Sequence, residues 1–397
     1  MSVGARTVAS MARSKIATEA GVEALLTERE LNRALLARQG LLERLPATVA
    51  DAPKATGALQ MQYWPALGPG LWSRVAECAP GAQFEAHASG ELLTGTLLRG
   101  TIHTVAAADF PAYHVVTAGS TVPRWRSAKN PPGPGADDLR RELLAHAAEP
   151  RTHDELCAFI ESWVARNPGV FDDAELEYQR GGRWRPFCTT VGLVRVPLDG
   201  KWGAKTPNGY RGVPVESPGR DEALRVVIRR HLAAFGPAAA EDVAGWIGWN
   251  LTPVRAALRA MDDLAVFADE SGRVLYDLPG APRPDAETEA PVRLLPWFDS
   301  TLLAYHPAHR TRILPDAHKD EIFIRINGRV KASFLVDGMV AGTWTIDDDR
   351  RDSTIVLTPL RPLTGASRTA LLAEAEAMLR FCRPEARSHR VALADRA

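Results

Sequence analysis

The sequence predicts an α+β protein with three tandem winged-helix domains and a C-terminal antiparallel β-barrel-like domain. Three stretches each combine helices with apolar residues at helical spacing and a following short β-hairpin, the element order of a winged helix. The end of the chain is instead rich in strand patterns and tight turns, and it closes with one amphipathic helix. We expect the domains at residues 20–125, 136–215, 220–279 and 290–397.

The third segment has the clearest winged-helix order. The stretch "DEALRVVIRRHLAAFG" has apolar residues at helical spacing and is stopped by the Gly236-Pro237 pair. Two further helices are predicted in "AAAEDVAGWIG" and "TPVRAALRAMDDL". A hairpin is then expected in "AVFADESGRVLYDL", where Ser271-Gly272 supplies the turn.

The first two segments repeat this order. In the first, residues 28–45 predict a helix and residues 84–107 a hairpin. In the second, Thr152 and Glu155 have the spacing of a capping box at the start of a helix, and a hairpin is expected over 183–199. In the C-terminal domain, tight turns are predicted at the dipeptides 327–328 and 337–338, which are Asn-Gly and Asp-Gly.

Composition excludes several classes of protein. The chain has 397 residues, and its 48 basic and 48 acidic residues balance, so a uniformly basic coat is excluded although a local basic face is not. Its four cysteines form no CxxC pair, so neither a zinc ribbon nor a disulfide framework is predicted. No apolar stretch is long enough to span a membrane. We therefore expect a cytoplasmic monomer that uses no cofactor or metal.

Local charge points to nucleic acid. Residues 178–220 carry eight Arg or Lys against two acids, with aromatic residues interleaved. Cations on one face bind phosphates, and aromatic rings stack on bases. The alternative is a solvated hairpin whose tryptophans pack against neighbouring domains. From this segment and the cluster "RWRSAK" at 124–129 we predict DNA contacts by Arg124, Arg126, Arg180, Arg183, Arg185, Lys201 and Trp202.

No predicted helix carries the run of Arg, Asn and Gln that is typical of strong base reading in the major groove. The helix "TPVRAALRAMDD" offers only Arg255 and Arg259 and ends in acids. Binding to the DNA backbone and to distorted duplex is therefore favoured over sequence-specific repression.

Gln60 and Gln62 form an unusual pair in "GALQMQYWP". On an extended segment, residues two apart share a face, so both amides would point the same way while Met61 turns into the core. Two carboxamides can hold and orient a water molecule, but they cannot remove its proton with any force. They suffice when the leaving group is already activated, as in an N7- or N3-alkylated purine that carries a positive charge. The alternative is that both are surface or capping amides.

The chain resembles the AlkZ-like family of winged-helix DNA glycosylases. The resemblance rests on Gln60-Met61-Gln62, which matches the family's Gln-apolar-Gln signature, and on the stretches "GLWSRV", "LLRGTIHTVAAADF", "LLPWFDSTLL" and "VDGMVAGTWTI". A related branch has Asp at the second position, and this chain does not. The family's members excise bulky alkylpurine adducts and unhook interstrand crosslinks, and some protect antibiotic producers from their own product.

The resemblance implies that Gln60 and Gln62 are catalytic and that the partner is double-stranded DNA containing alkylated purines. Arg99, Thr101 and His103 alternate in "RGTIHTV", so they would share one side of a strand, with Arg99 on a phosphate and His103 in the same pocket. The alternative for His103 is a satisfied, half-buried strand histidine. Tyr63 would pack against the adduct or the exposed base. The family likeness also suggests that the basic hairpin 183–203 inserts near the lesion.

Two hypotheses remain open on the sequence alone. The first is a monofunctional glycosylase, since no lysine nucleophile is a candidate near Gln60. The second is a non-catalytic winged-helix DNA-binding protein or transcriptional regulator. Motifs of other chemistries, such as a phosphate-binding GxxxxGK[ST] loop or a GxSxG nucleophile elbow, do not occur.

Overall fold

The computed structural model describes residues 22–127, 133–214, 216, 218–326, 328–349 and 351–394. Its elements have the mixed α+β character that the sequence predicts. Lys129 of the second basic cluster and Asn327 of a predicted turn lie outside these residues. In the described ranges, none of the helices combines the length and apolar character needed to cross a membrane.

The chain up to residue 120 forms a first unit of short helices and strands. Its elements are β1 (Leu25–Leu26), α1 (Glu28–Arg38), α2 (Ala52–Thr56), β2 (Leu59–Gln60), α3 (Leu67–Trp72), α4 (Ala82–Ala88), β3 (Leu92–Thr96), β4 (Ile102–Ala106) and α5 (Phe110–Ala118). The Thr27 hydroxyl accepts from the Glu30 N–H, and the Thr27 N–H donates back to the Glu30 carboxylate, which fixes the start of α1.

A second unit follows from residue 133. Its elements are α6 (Pro134–His146), α7 (His153–Arg166), α8 (Asp173–Gly181), α9 (Arg185–Cys188), β5 (Leu193–Val196) and β6 (Gly209–Gly212). The capping box predicted for Thr152 and Glu155 is confirmed at the start of α7. The prediction of a hairpin over 183–199 is wrong. Trp184 and Phe187 bury their rings in the helical core of this unit, so the chain forms α9 there, and β5 pairs with the later strand β6.

The two units share one sheet. Its strand order is β2-β4-β3-β5-β6, and the link between units is the pairing of Gly95 in β3 with Val194 in β5. A Cβ atom at Gly95 would lie 3.1 Å from the carbonyl oxygen of Leu193, so a residue without a side chain lets β5 approach this closely.

A third unit has three helices followed by a strand pair: α10 (Arg220–Phe235), α11 (Ala240–Ile247), α12 (Leu251–Arg259), β7 (Ala265–Asp269) and β8 (Val274–Asp277). The N-terminal strand β1 pairs parallel to β7, with Leu25 opposite Ala268. The start of the described chain is therefore tied to the third unit. This brings α1 and α10 together, and Arg38 and Asp277 form a buried ion pair at 2.6 Å where they meet.

The C-terminal part is an open sheet covered by a helix. Its elements are β9 (Arg293–Leu295), α13 (Lys319–Ile322), β10 (Phe323–Ile324), β11 (Arg329–Val330), β12 (Ser333–Val336), β13 (Met339–Asp349), β14 (Asp352–Pro359), α14 (Gly365–Cys382) and β15 (Ser388–Leu393). The larger sheet has the order β15-β14-β13-β12-β9. The expected barrel does not close, because β9 and β15 are opposite edges and α14 packs Leu371, Met378 and Leu379 into the core beside the sheet.

Candidate active site

The segment that carries the two glutamines enters its strand through a constrained glycine. Gly57 has φ +77°, and a Cβ atom there would lie 2.9 Å from Cε2 of Phe235. Glycine alone satisfies both conditions without strain. The chain then runs extended: Leu59 and Met61 enter one apolar cluster, and the Met61 N–H donates to the carbonyl of Ile102 at 2.7 Å.

Gln60 is buried and held by an arginine. Its side chain is 8% exposed, and Oε1 accepts a hydrogen bond from Nη2 of Arg99 at 2.6 Å. Since the amide oxygen is engaged by this cation, the orientation of the carboxamide is set, and its NH₂ group is left as the donor side. A buried amide with a fixed orientation differs from a surface or capping glutamine.

Arg99 does not lie where the sequence predicts. It sits in a turn before β4, at φ +55°, and not on the strand itself. Its second amino group donates to the carbonyl of Trp246 at the end of α11, and its backbone packs against Gly248. The partial negative charge of a helix C-terminus stabilises a guanidinium, so Arg99 turns inward and is not free to bind a phosphate. Burial lowers the pKa of Arg99 to about 10, and Arg99 therefore stays charged at neutral pH.

His103 lies directly opposite Gln60 in the β2-β4 pairing. It is 1% exposed, and its Nδ1 lies 3.1 Å from the carbonyl oxygen of Thr101. A carbonyl accepts only, so Nδ1 carries the proton and Nε2 presents a lone pair. That Nε2 is buried without a partner among the described residues. Burial and the charge of Arg99 lower the pKa of His103 to about 3, so the ring is neutral.

Gln62 is exposed and lines a cleft of about 580 Å³ between the first two units. Thr101 lines the same cleft, and its hydroxyl donates to the carbonyl of Leu98 at 3.0 Å. The cleft is cationic because Arg124, Arg185 and Arg195 line it, and no Asp or Glu of the described ranges does. A negatively charged backbone can therefore approach Gln62.

The predicted basic residues differ in their exposure and in their ion-pair partners. Arg185 is exposed in the cleft and has no ion-pair partner in the described part of the chain. Arg180 is held by Glu161 at 2.7 Å, and Arg183 is held by Asp154, so neither charge is free. Arg124 is also less available than expected: it is 6% exposed and donates to its own loop.

Three other predicted contacts lie outside the cleft lining. Arg126 and Lys201 are exposed. The ring of Trp202 packs against His87, with centroids 4.7 Å apart, and against Trp64 at 6.1 Å. For Trp202 the structure therefore shows the alternative given above, in which a tryptophan of the basic segment packs against a neighbouring part of the protein and does not contact DNA.

Sequence reasoning missed several cleft residues. These are His114, His153, Arg195 and Tyr210. Arg195 lies 5.5 Å from the centroid of the Tyr210 ring, across the β5-β6 pair. The alternation of β5 could have placed Arg195 on one face, but nothing local identifies β6 as its partner.

Arg185, which is unpaired among the described residues, and Arg183, which is paired with Asp154, provide a matched pair of variants. Arg185→Ala is expected to weaken binding of duplex DNA several-fold and to reduce the slope of log K against log salt by about 1, because one phosphate contact is lost. Arg183→Ala removes a charge that Asp154 already neutralises, so a much smaller change is expected. Fluorescence anisotropy over a salt series measures both. Equal effects of the two changes would contradict the assignment of the cleft as the DNA path.

Comparisons with known proteins show what the chain is similar to. The model of a family described as DNA glycosylase AlkZ-like matches residues 54–381. A curated interstrand DNA cross-link repair glycosylase of Streptomyces sahachiroi is 27% identical over 334 residues, which covers 81% of this chain and 87% of that protein. The solved structure of Streptomyces sahachiroi DNA glycosylase AlkZ superposes with a TM-score of 0.74 at 22% identity, covering 93% of this chain and 100% of that one. At this identity the superposition establishes a shared α+β fold.

Proposed function

The chain belongs to the AlkZ-like family of DNA glycosylases, and from this premise we propose that it hydrolyses the N-glycosidic bond of cationic N7- or N3-alkylated purines in duplex DNA. The observation that carries the proposal is a neutral amide in a cationic cleft, two residues after a second amide whose orientation is fixed. Gln62 lines that cleft, and Gln60 is buried with its Oε1 held by Arg99.

The reaction follows from these atoms. Because Arg99 engages Oε1 of Gln60, the Gln60 NH₂ group donates a hydrogen bond to the water oxygen, and Oε1 of Gln62 accepts a hydrogen bond from the water without taking its proton. The C1′–N bond breaks, and its electron pair remains on the purine and neutralises the positive charge there. The water oxygen bonds to C1′ of the oxocarbenium-like sugar, and the proton leaves to solvent. The products are a free base and an abasic site.

A carboxylate is not required in this mechanism. The leaving base needs no general acid, and an oriented water needs little help to attack a strong electrophile. His103 lies on the strand next to Gln60, and its unpaired Nε2 can accept a further hydrogen bond from this water. With a pKa of about 3, His103 is a weak base, which suits a lesion that is already activated.

The shape of the site suits large lesions. The cleft that holds Gln62 lies open between two units, so a base that is tethered to the opposite strand can reach it without being fully flipped. The relative's name, an interstrand DNA cross-link repair glycosylase, supports bulky adducts and crosslinks as substrates. We further propose that the units at 20–125, 136–215 and 220–279 act as winged helices that hold the duplex, and that the chain works as a monomer.

The test is base release by the purified protein. Duplex DNA containing 7-methylguanine is incubated without added metal, and the free base is measured by chromatography. Release is expected for the cationic lesion and not for a neutral base such as uracil or unmodified guanine, since these leave with a negative charge. Equal release of neutral bases, or no release of 7-methylguanine, would refute the proposal.

A further inference from the structure

A strained turn lies at the edge of the cationic cleft. Arg183 and Trp184 are consecutive and have φ +49° and +57°, in the left-handed region that residues with side chains rarely adopt. The buried ring of Trp184 holds this turn, because its Nε1 donates to Glu161 at 2.7 Å. The chain leaves the turn at Arg185, which lines the cleft. Backbone strain of this kind is concentrated at functional sites, where it fixes the groups around it.

The same turn holds a histidine of the neighbouring helix. Nε2 of His153, the first residue of α7, lies 2.9 Å from the carbonyl oxygen of Arg183. Since a carbonyl only accepts, Nε2 carries the proton, and Nδ1 is left with a lone pair and no partner among the described residues. His153 is half-buried and lines the cleft, and its ring lies beside that of Tyr210, with centroids 6.0 Å apart. His153 and Arg185 are therefore held by one turn and reach one cleft.

The surroundings of His153 favour its neutral form in the free protein. Burial, together with the charges of Arg185 and Arg183, lowers the pKa of His153 from its usual value. Asp154 is engaged by Arg183, so its charge does little to favour an imidazolium. The charged and titratable groups that face the ring come from α7, from the turn and from β6: Asp154, Cys157, Arg183, Arg185 and Tyr210. At neutral pH, Nδ1 is therefore an acceptor, which repels a phosphate oxygen.

We propose that His153 binds a phosphate of the DNA backbone beside Arg185, and that it takes up a proton from solvent to do so. Nδ1 then changes from acceptor to donor, and its N–H donates to a phosphate oxygen while Nε2 keeps its bond to the carbonyl of Arg183. The phosphate charge offsets the repulsion between the imidazolium and Arg185, so the pKa of His153 is higher in the complex than in the free protein. The inference rests on the proposed function, and it adds that DNA binding in the cleft is linked to a proton.

The experiment measures binding of an undamaged duplex by fluorescence anisotropy at constant salt over a pH series, so base release has no part in it. A phosphate that raises the pKa of His153 by about one unit binds about 10-fold tighter to the protonated protein. Wild-type affinity should therefore be about 10-fold higher near pH 5.5 than near pH 8, with the gain lost as the pH rises through the pKa of the complex. His153→Gln, which cannot titrate, should keep the weaker affinity throughout, to within about 2-fold. His153→Lys, which stays charged, should bind tightly throughout, and its slope of log K against log salt should exceed that of His153→Gln by about 1.

Proton uptake by the wild-type protein gives a second readout that needs no variant to fold. Calorimetric titration of the duplex into the protein near pH 6.5, in two buffers with different heats of ionisation, should show a net uptake of up to about one proton per complex. The same pH dependence in the wild type and in His153→Gln, or no proton uptake by the wild type, would overturn the inference alone. A protein that binds no duplex DNA at any pH of the series would overturn the proposed function and this inference with it.

Discussion

Gln62→Ala is expected to lower the single-turnover rate of 7-methylguanine release by about 10²-fold to 10³-fold, the usual loss when a preorganised hydrogen bond to the reacting atoms is removed. DNA affinity should change little, because the cations of the cleft remain. Gln62 is exposed, so its truncation should leave the midpoint of thermal unfolding unchanged. Rapid-quench base release and anisotropy, measured on one protein preparation, test both expectations.

The matched control is Gln62→Glu, which keeps an oxygen that can accept a hydrogen bond from water at nearly the same position. Its rate should exceed that of Gln62→Ala by at least about 10-fold, since oriented acceptors of this kind contribute on the order of 10²-fold. If the alanine and glutamate variants lose activity equally, Gln62 does not act as a water acceptor. If neither loses activity, the residue is not catalytic.

Asp299→Ala is expected to reduce the free energy of unfolding by about 3–5 kcal/mol, the usual cost of leaving a buried ion without its partner. Asp299 and Arg74 are 2% and 1% exposed at the side chain, and Nη2 of Arg74 lies 2.9 Å from both carboxylate oxygens. Arg74 also donates to Gln39, which in turn bonds the carbonyl of Thr56 just ahead of β2. The pair therefore supports the strand that carries Gln60.

Urea denaturation followed by circular dichroism measures this loss. Asp263→Ala is the control, because its partner Arg229 is about half exposed, and an exposed pair contributes about 0–1 kcal/mol. The double change Arg74→Met with Asp299→Leu should recover much of the loss, since it removes both charges together. A loss at Asp299 no larger than at Asp263 would show that the buried pair does not hold this region together.

Sequence reasoning located the glutamine pair but not its supporting residues. The alternation of "LQMQ" is a local pattern, and the structure follows it in part: Leu59 and Met61 lie in the core and Gln62 reaches a cleft, but Gln60 is also buried, with its Oε1 on Arg99. The position of Arg99 depends on a left-handed turn and on the C-terminus of α11, which is distant in sequence. No local pattern predicts that contact, so Arg99 was expected at a phosphate.

The arrangement of the units also combines features that the sequence predicts with features that it does not predict. Helices with capping boxes, such as the one that begins after Thr152, follow from short-range chemistry. The shared sheet depends on one long-range pairing, Gly95 with Val194, and the three-stranded sheet of the third unit depends on β1 reaching β7. Pairings between strands this far apart leave no periodic trace in either strand.

Net charge along the sequence was a poor guide to free charge in space. Residues 178–220 have a large excess of cations, yet Arg180 and Arg183 are neutralised by Glu161 and Asp154 from α7. Arg185, which has no such partner within the part of the chain that the structure describes, lines the cleft. DNA binding therefore depends on which cations lie unpaired on one face of the protein. Those cations can be identified only once the fold is known.

If two neutral amides are sufficient for catalysis, base release should not depend on the ionisation of any side chain, and a pH series measures this. Gln60 and Gln62 do not titrate, and burial lowers the pKa of His103 to about 3 and of His114 to about 4, while it raises that of Cys188 in the cleft to about 12. His103, His114 and Cys188 therefore keep one protonation state from pH 5.5 to 8.5, a range of about 3 units that spans the ordinary histidine pKa. His153 also lines the cleft, and burial lowers its pKa from the usual value, so the series is measured on His153→Gln as well as on the wild type. We expect the single-turnover rate of 7-methylguanine release to stay flat across this range. A rate that falls about 10-fold for each pH unit below a midpoint near 6 or 7 would reveal an ionising general base and would contradict it.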